Sequence, residues 1–171
     1  MTEIDIDHGI DTVMSASNPA MVVVTAQSRL GRSGCLVGFH GQVSIEPLRW
    51  GVWIARSNHS FAVMTRAEML AIHFLGADQH DLARHFGGLT GDEIDKFVGL
   101  ELVDTDGKGP HFPPVIHGVP AVLIGRRTSV YDGPTDHACV VVAPSALTAP
   151  QPFQPLRLND CRDIHPGHPL H

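Results

Sequence analysis

Short apolar runs of strand length alternate along this chain with clusters of Gly, Pro and small polar residues, and helical spacing appears only briefly. Residues 21–26 (MVVVTA) form a β-branched run that predicts the first strand. Residues 35–45 make a strand-like run that breaks at Pro47. Residues 50–55 make an apolar strand that stops at Ser57, Asn58, His59 and Ser60. Residues 68–75 alternate, with Leu70, Ile72 and Phe74 on one face and Ala71 and His73 on the other. Residues 119–131 and 135–143 add a long strand and its partner, joined by a hairpin turn at Asp132, Gly133 and Pro134.

Helical patterns are short. Ile10, Val13 and Met14 share a face within residues 2–17, and Asn18 ends that segment because a residue before proline is pushed out of the α region. Phe61, Met64 and residues 67–69 suggest a second short helix. Residues 78–86 predict a third, with Asp78 as N-cap, Leu82, Ala83 and Phe86 as the inner stripe, and Gly87 and Gly88 as its stop. Thr90 and Glu93 form a capping-box pattern for a fourth, which turns Ile94 and Phe97 inward and Lys96 outward. Residues 100–118 read as a loop with one short strand at its start, and the chain from Pro144 onward as an extended tail outside the core. With no βαβ repetition, six or seven strands predict a mostly antiparallel barrel or sandwich.

Composition narrows the function classes. Across 171 residues, 43% are hydrophobic and 18% charged, as expected of one globular domain. A net charge of −6 argues against nucleic acid or an anionic membrane as partner. No apolar run approaches a membrane span, and the acidic start MTEIDIDHGID is unlike a signal peptide. Cys35, Cys139 and Cys161 do not make a disulfide framework, which points to the reducing cytoplasm.

Candidate chemistry concentrates in residues 31–61. Gly34, Gly38 and Gly41 weaken a strand unless a bend, a bulge or a close ligand needs the missing side chain. The hydroxyl and amide cluster after it suits an anion. A twisted barrel strand followed by an ordinary helix start accounts for the same residues, so both readings stand at this level. GxGxxG after a strand, a P-loop, HExxH and paired CxxC are all missing from the sequence, and no nucleophile elbow surrounds Ser57 and Ser60. His165, His168 and His171 lack a common helical face, which favours a tail over a metal site. Asp136 and His137 follow a turn and open a strand, so His137 falls near a barrel rim. There its imidazole suits either a ligand contact or a structural hydrogen bond.

Five segments taken in order resemble the flavin reductase family: MVVVTA, GRSGCLVGFHGQVSIEP, RSNHSF, LGADQHDLARHFGG and GVPAVLIGRRTSVYDGPTDH. They cover about residues 18–145, and the inserted GGLTGDEIDKF and the ending RDIHPGHP resemble an actinobacterial-type branch. The resemblance implies a mainly β fold, an antiparallel Greek-key split barrel of six or seven strands with a few short helices. The barrel domain would span residues 1–150, with 1–18 as a helical lead-in and 151–171 as a Pro/His-rich tail. It also implies a homodimer that holds FMN, or in some members FAD, near the subunit interface. Such proteins reduce the flavin with NADH or NADPH and often supply a partner monooxygenase.

Carried over by position, the resemblance sets Gly34, Cys35, Leu36, Val37, Gly38 and Phe39 beside the isoalloxazine edge. Ser57, His59 and Ser60 match the phosphate or ribityl segment, and Phe86, Gly87 and Gly88 match a Phe-Ala-Gly turn over the cofactor. Lys96 and Phe97 match a Lys-Phe pair that supplies charge to the phosphate, and His137 matches the histidine of a Gly-Asp-His motif near the nicotinamide. Two departures stand out. Cys35, Leu36, Val37 and Gly38 replace the hydroxyl-rich Thr-Ala-Ser-Ser form, and Thr135 replaces a glycine. The lost hydroxyls leave room for an alternative, a split-barrel module that holds flavin, deazaflavin or haem without free turnover.

Overall fold

The unbroken apolar run that opens the sheet is buried on both faces. In the computed structural model, which describes residues 5–148 and 151–167, strand β1 (Val22–Ser28) sends Val22, Val24 and Ala26 into the barrel interior. Val23, on its other face, packs with Leu75, Ala83, Phe86 and Leu156 in a second layer. A strand covered on both sides has no polar face to alternate with, hence MVVVTA.

Six further strands follow: β2 (Gly31–Val37), β3 (His40–Ser44), β4 (Arg49–Ala55), β5 (Met69–Phe74), β6 (Ala121–Tyr131) and β7 (His137–Leu147). Helices α1 (Ile6–Ser17), α2 (Ser60–Met64) and α3 (His80–Gly88) and a 3-10 turn, Leu158–Cys161, complete the described elements. The strands form one sheet in the order β2-β1-β5-β6-β7-β4-β3, and every pair is antiparallel. The two outermost strands, β2 and β3, are consecutive in the chain, separated only by Gly38 and Phe39. The chain therefore passes from one edge of the sheet to the other and curls it into a split barrel. The Trp53 N–H donates to Phe39 O at 2.9 Å and extends the β3–β4 ladder up to this turn. β4 and β5 are not neighbours, and their connection through α2 gives the Greek-key crossing expected from the resemblance.

Val63 and Met64 of α2 enter the interior cluster with Leu70, Ile72 and Val140. The opposite face of β5 lies under the loop before β6. There Ala71 packs with Val115 and Val122, and His73 bridges two backbones: Nδ1–H donates to Val23 O at 3.0 Å and Nε2 accepts from Ile116 N–H at 3.0 Å.

Several sequence expectations change. Residues 35–45 form two strands, because the chain changes sheet edges at Gly38 and Phe39 while its composition stays strand-like. The helix of residues 78–86 starts at His80 with Gln79 at its N-cap, since the Gln79 carboxamide folds back to accept from Gly76 N–H. Residues 90–97 form turns, where Thr90 Oγ1 accepts from Asp92 N–H at 3.2 Å. Lys96 points inward and is 6% exposed. Finally, the segment after 150 is not a free tail. Leu156 is 1% exposed, and its backbone bonds to both Met21 and Leu75. His168 and His171 lie outside the described residues.

Candidate active site at the barrel seam

The seam that closes the barrel also opens a cleft. Cys35, Leu36, Val37, Gly38 and Phe39 line it with Met21, Trp53, Ile54, Ala55, Asn58, His137 and Leu158 around ≈ 190 Å³. A second lobe of ≈ 190 Å³ adjoins it through Met21, Leu36, Asn58 and Leu158, and is walled by Phe86, Gly87, Cys161, Ile164 and Pro166. Because β2 is an outermost strand paired only with β1, alternate N–H and C=O groups on its other edge have no strand partner. The cleft thus offers a row of backbone polar groups along one side and apolar side chains around them.

Glycines let the walls of the cleft approach one another closely. A Cβ on Gly38 would come within 3.3 Å of Met21 Sδ, and one on Gly87 would meet Leu36 Cδ2 at 2.9 Å and Ile164 Cγ2 at 3.1 Å. His137 faces the first lobe. Its Nδ1 is 2.9 Å from an Asp136 carboxylate oxygen, and its ring meets Phe39 edge-on at 5.5 Å. That hydrogen bond holds the Asp136 carboxyl below its ordinary range and fixes the imidazole tautomer, leaving Nε2 as the atom for a ligand. Asn58 borders both lobes, and its Oδ1 accepts from the Ser60 N–H at the start of α2.

The remaining expected residues lie around this cleft. Gly34, Lys96 and Phe97 line a neighbouring hollow of ≈ 340 Å³ with Arg32 and Asp95. Its main charges are already matched. Lys96 Nζ donates to Phe86 O at 2.8 Å and Gly34 O at 3.2 Å, and Arg32 pairs with Asp95 at 2.6 Å while lying over the Phe97 ring. Phe86 O belongs to the last turn of α3, where unpaired carbonyls favour a cation. Burial lowers the Lys96 pKa, and the nearby Cys35 offsets part of that. Ser60 is 1% exposed and shares a 2.8 Å hydrogen bond with Ser33. His59 is bound to Asp92 at 2.7 Å and packs on Gly91. Ser57, His59, Ser60 and Gly88 line neither lobe.

The Cys35 thiol is pushed up to about 11 by burial, against the smaller pull of Lys96 and a hydrogen bond from Ser60. It stays protonated at neutral pH and serves packing. Cys161 is likewise pushed up to about 11 by burial and by the carboxylates of Asp160 and Asp163. Sequence reasoning missed Met21, Trp53, Asn58, Leu158 and Ile164 as wall residues. Asn58 stood inside the polar cluster already singled out, whereas Leu158 and Ile164 are isolated apolar residues in a proline-rich segment and carry no periodic signal.

Comparison with known proteins gives the family and the fold. The flavin reductase like domain model matches residues 14–160, and the chain belongs to that family. It is 27% identical over 156 residues to an NADH:riboflavin 5'-phosphate oxidoreductase of Streptomyces pristinaespiralis, covering 91% of this chain and 84% of that one. The fold is shared with the NADH:FAD oxidoreductase SgcE6 of Streptomyces globisporus C-1027 (TM-score 0.70, 21% identity, 92% and 89% coverage). It is also shared with the flavin reductase HpaC complexed with NADP+ (TM-score 0.74, 16% identity, 91% and 95% coverage).

Proposed function

We propose that the protein is an NAD(P)H-dependent flavin reductase that takes FMN, with FAD as a second substrate, and NADH as the hydride donor. The observation that carries this reading is the cleft at the seam. An unpaired strand edge, a missing side chain at Gly38 and the fixed imidazole of His137 converge there on a space with apolar walls. A flat heterocycle with a polar rim suits that surface, since the backbone groups of β2 would meet its rim and the apolar side chains of the cleft would meet its faces. When bound, the flavin supplies the electron-accepting ring to which reduced nicotinamide gives its hydride.

The chain's own part is placement. The β2 edge and Gly38 set the plane of the ring, Asn58 and His137 offer polar contacts, and Leu158 and Ile164 shield the second lobe from water. Hydride transfer needs no protein acid or base, so no single residue is expected to be all-or-none. His137→Ala should raise the KM for NADH about tenfold while FMN affinity changes less than about twofold. Unchanged NADH kinetics in that variant would remove His137 from the nicotinamide site. The reading itself is tested by loading the protein with FMN under nitrogen and adding NADH. Bleaching of the flavin at catalytic rates supports a reductase, and bound flavin that stays oxidised identifies a holding module.

The same reading includes a homodimer and release of reduced flavin to a partner monooxygenase. A hollow of ≈ 520 Å³ on the outer face of β3, β4, β6 and β7 is lined by Val43, Trp53, Tyr131 and Val141, and Tyr131 is 67% exposed. Trp53 lines both this hollow and the cleft, so a second copy seated there would adjoin the flavin. Sedimentation velocity should give a dimer, and Tyr131→Glu a monomer with weakened FMN binding. A monomeric wild type would overturn this part. Among the described residues no helix is long and apolar enough to cross a membrane.

A further inference from the structure

We propose that Arg56 positions His137 by holding the β6–β7 loop against the cleft, an inference that rests on the reductase reading. Residues 131–136 are all exposed, so no apolar burial fixes that loop, and its shape must come from hydrogen bonds. Arg56 supplies them. It follows the last residue of β4, and its main-chain N–H donates to Asp136 O at 2.9 Å. Its Nε donates to Thr135 O at 2.6 Å and its Nη2 to Gly133 O, while Nη1 pairs with the Asp132 carboxylate. The ion pair with Asp132 is half-exposed and contributes little. The backbone carbonyls are the informative partners, because one planar fork reaches two points of the loop at once.

From the loop the linkage continues to the imidazole. Thr135 Oγ1 donates to His137 O at 2.7 Å, and the next residue, Asp136, holds His137 Nδ1 at 2.9 Å. The guanidinium lies 5.8 Å from the centre of the Phe61 ring, which keeps its plane fixed against α2. Arg56 also directly precedes Ser57 and Asn58. The β4–β7 ladder, which pairs Ala55 with His137, holds the backbones of the two polar corners, and the Arg56 side chain acts on the loop that carries Asp136 and through it on the imidazole. Arg56 touches no reacting atom and acts only through the loop.

The test uses the full chain in two measurements. The first follows the His137 imidazole resonances, assigned by their loss in His137→Ala, without flavin or nucleotide. They should shift or broaden in Arg56→Met and in Arg56→Lys, which keeps the charge and loses the fork. The second is a double-mutant cycle on NADH oxidation. Arg56→Met should raise the NADH KM about tenfold with little change in kcat, and add nothing in the His137→Ala background. Unmoved His137 resonances in a folded Arg56→Met protein, or additive KM effects, would overturn the proposal. If the resonances move but the wild type does not oxidise NADH, the positioning role stands and only the reductase reading falls.

Discussion

Gly34→Ala is expected to lower the unfolding midpoint by roughly 4–8 °C, about 2 kcal/mol, and to weaken flavin binding at the same time. An added Cβ would sit 2.6 Å from Phe86 Cε1, 3.0 Å from Phe86 Cδ1 and 3.3 Å from Phe97 Cζ. Neither ring can retreat into the core. Phe86 is 1% and Phe97 4% exposed, they meet edge-to-face at 5.6 Å, and Phe86 belongs to the cluster built by Val23, Ala83 and Leu156. The open direction for Phe86 is toward the second lobe, whose wall it forms. Relief of the clash therefore narrows the cleft, and Lys96, bonded to both Gly34 O and Phe86 O, is displaced with them. Thermal melts and FMN titration of the variant check both effects. A protein with wild-type midpoint and wild-type affinity would show that Gly34 is not the contact point between β2 and α3.

Much of this architecture was legible in the sequence because burial leaves a period. Alternation sets Leu70, Ile72 and Phe74 on one face of β5 and Ala71 and His73 on the other, and the structure places the first set with the barrel interior and the second under the loop. What stayed hidden depends on contacts between distant parts of the chain. Nothing local distinguishes Val37 from His40 as members of opposite sheet edges, since strand propensity does not name a partner. Lys96 reads as a solvent residue in any helical pattern. It is buried only because two carbonyls, 62 and 10 residues away in sequence, meet its ammonium. Leu156, Leu158 and Ile164 have no periodic company. Their burial comes from the strap formed by residues 151–167, tied down by His80 and Arg84 on Asp163 and by Gly167 N–H on Gly87 O. The candidate site followed the same division. The β2 stretch and His137 came from resemblance and were brought together at one cleft. The strap that closes its second lobe is visible only in the folded chain.

Acid should destabilise the fold well before its carboxylates titrate, and His73 is the reason. The ring is completely buried, with Nδ1–H given to Val23 O and Nε2 accepting from Ile116 N–H, so both nitrogens are satisfied only in the neutral form. Burial lowers its pKa from the ordinary 6.5 to about 4, with the Val23 carbonyl opposing in part. The unfolded chain therefore binds a proton below about 6.5 that the native chain refuses until about 4. Stability is full above 6.5 and declines as pH falls through that window, by about 1.4 kcal/mol per unit. The accumulated loss is about 2 kcal/mol at pH 5 and approaches about 3 kcal/mol near pH 4. His40, lowered by its own burial, adds in the same direction. Asp92, Asp95, Asp136 and Asp163 are all held below the ordinary carboxylate value of 3.8, so their contributions disappear only at lower pH. Urea midpoints measured from pH 7.5 to 4.5 should show the decline, and His73→Gln should flatten most of it while being less stable at neutral pH. Since His73 is what fastens the Ile116 segment to β1 and β5, protonation should release that segment first. The protection factor of the Ile116 amide, its exchange rate taken against the intrinsic rate at the same pH, is then expected to fall below pH 6 ahead of that of Val24 in the barrel interior. A His73→Gln protein with the same acid decline as wild type would locate the titrating group elsewhere.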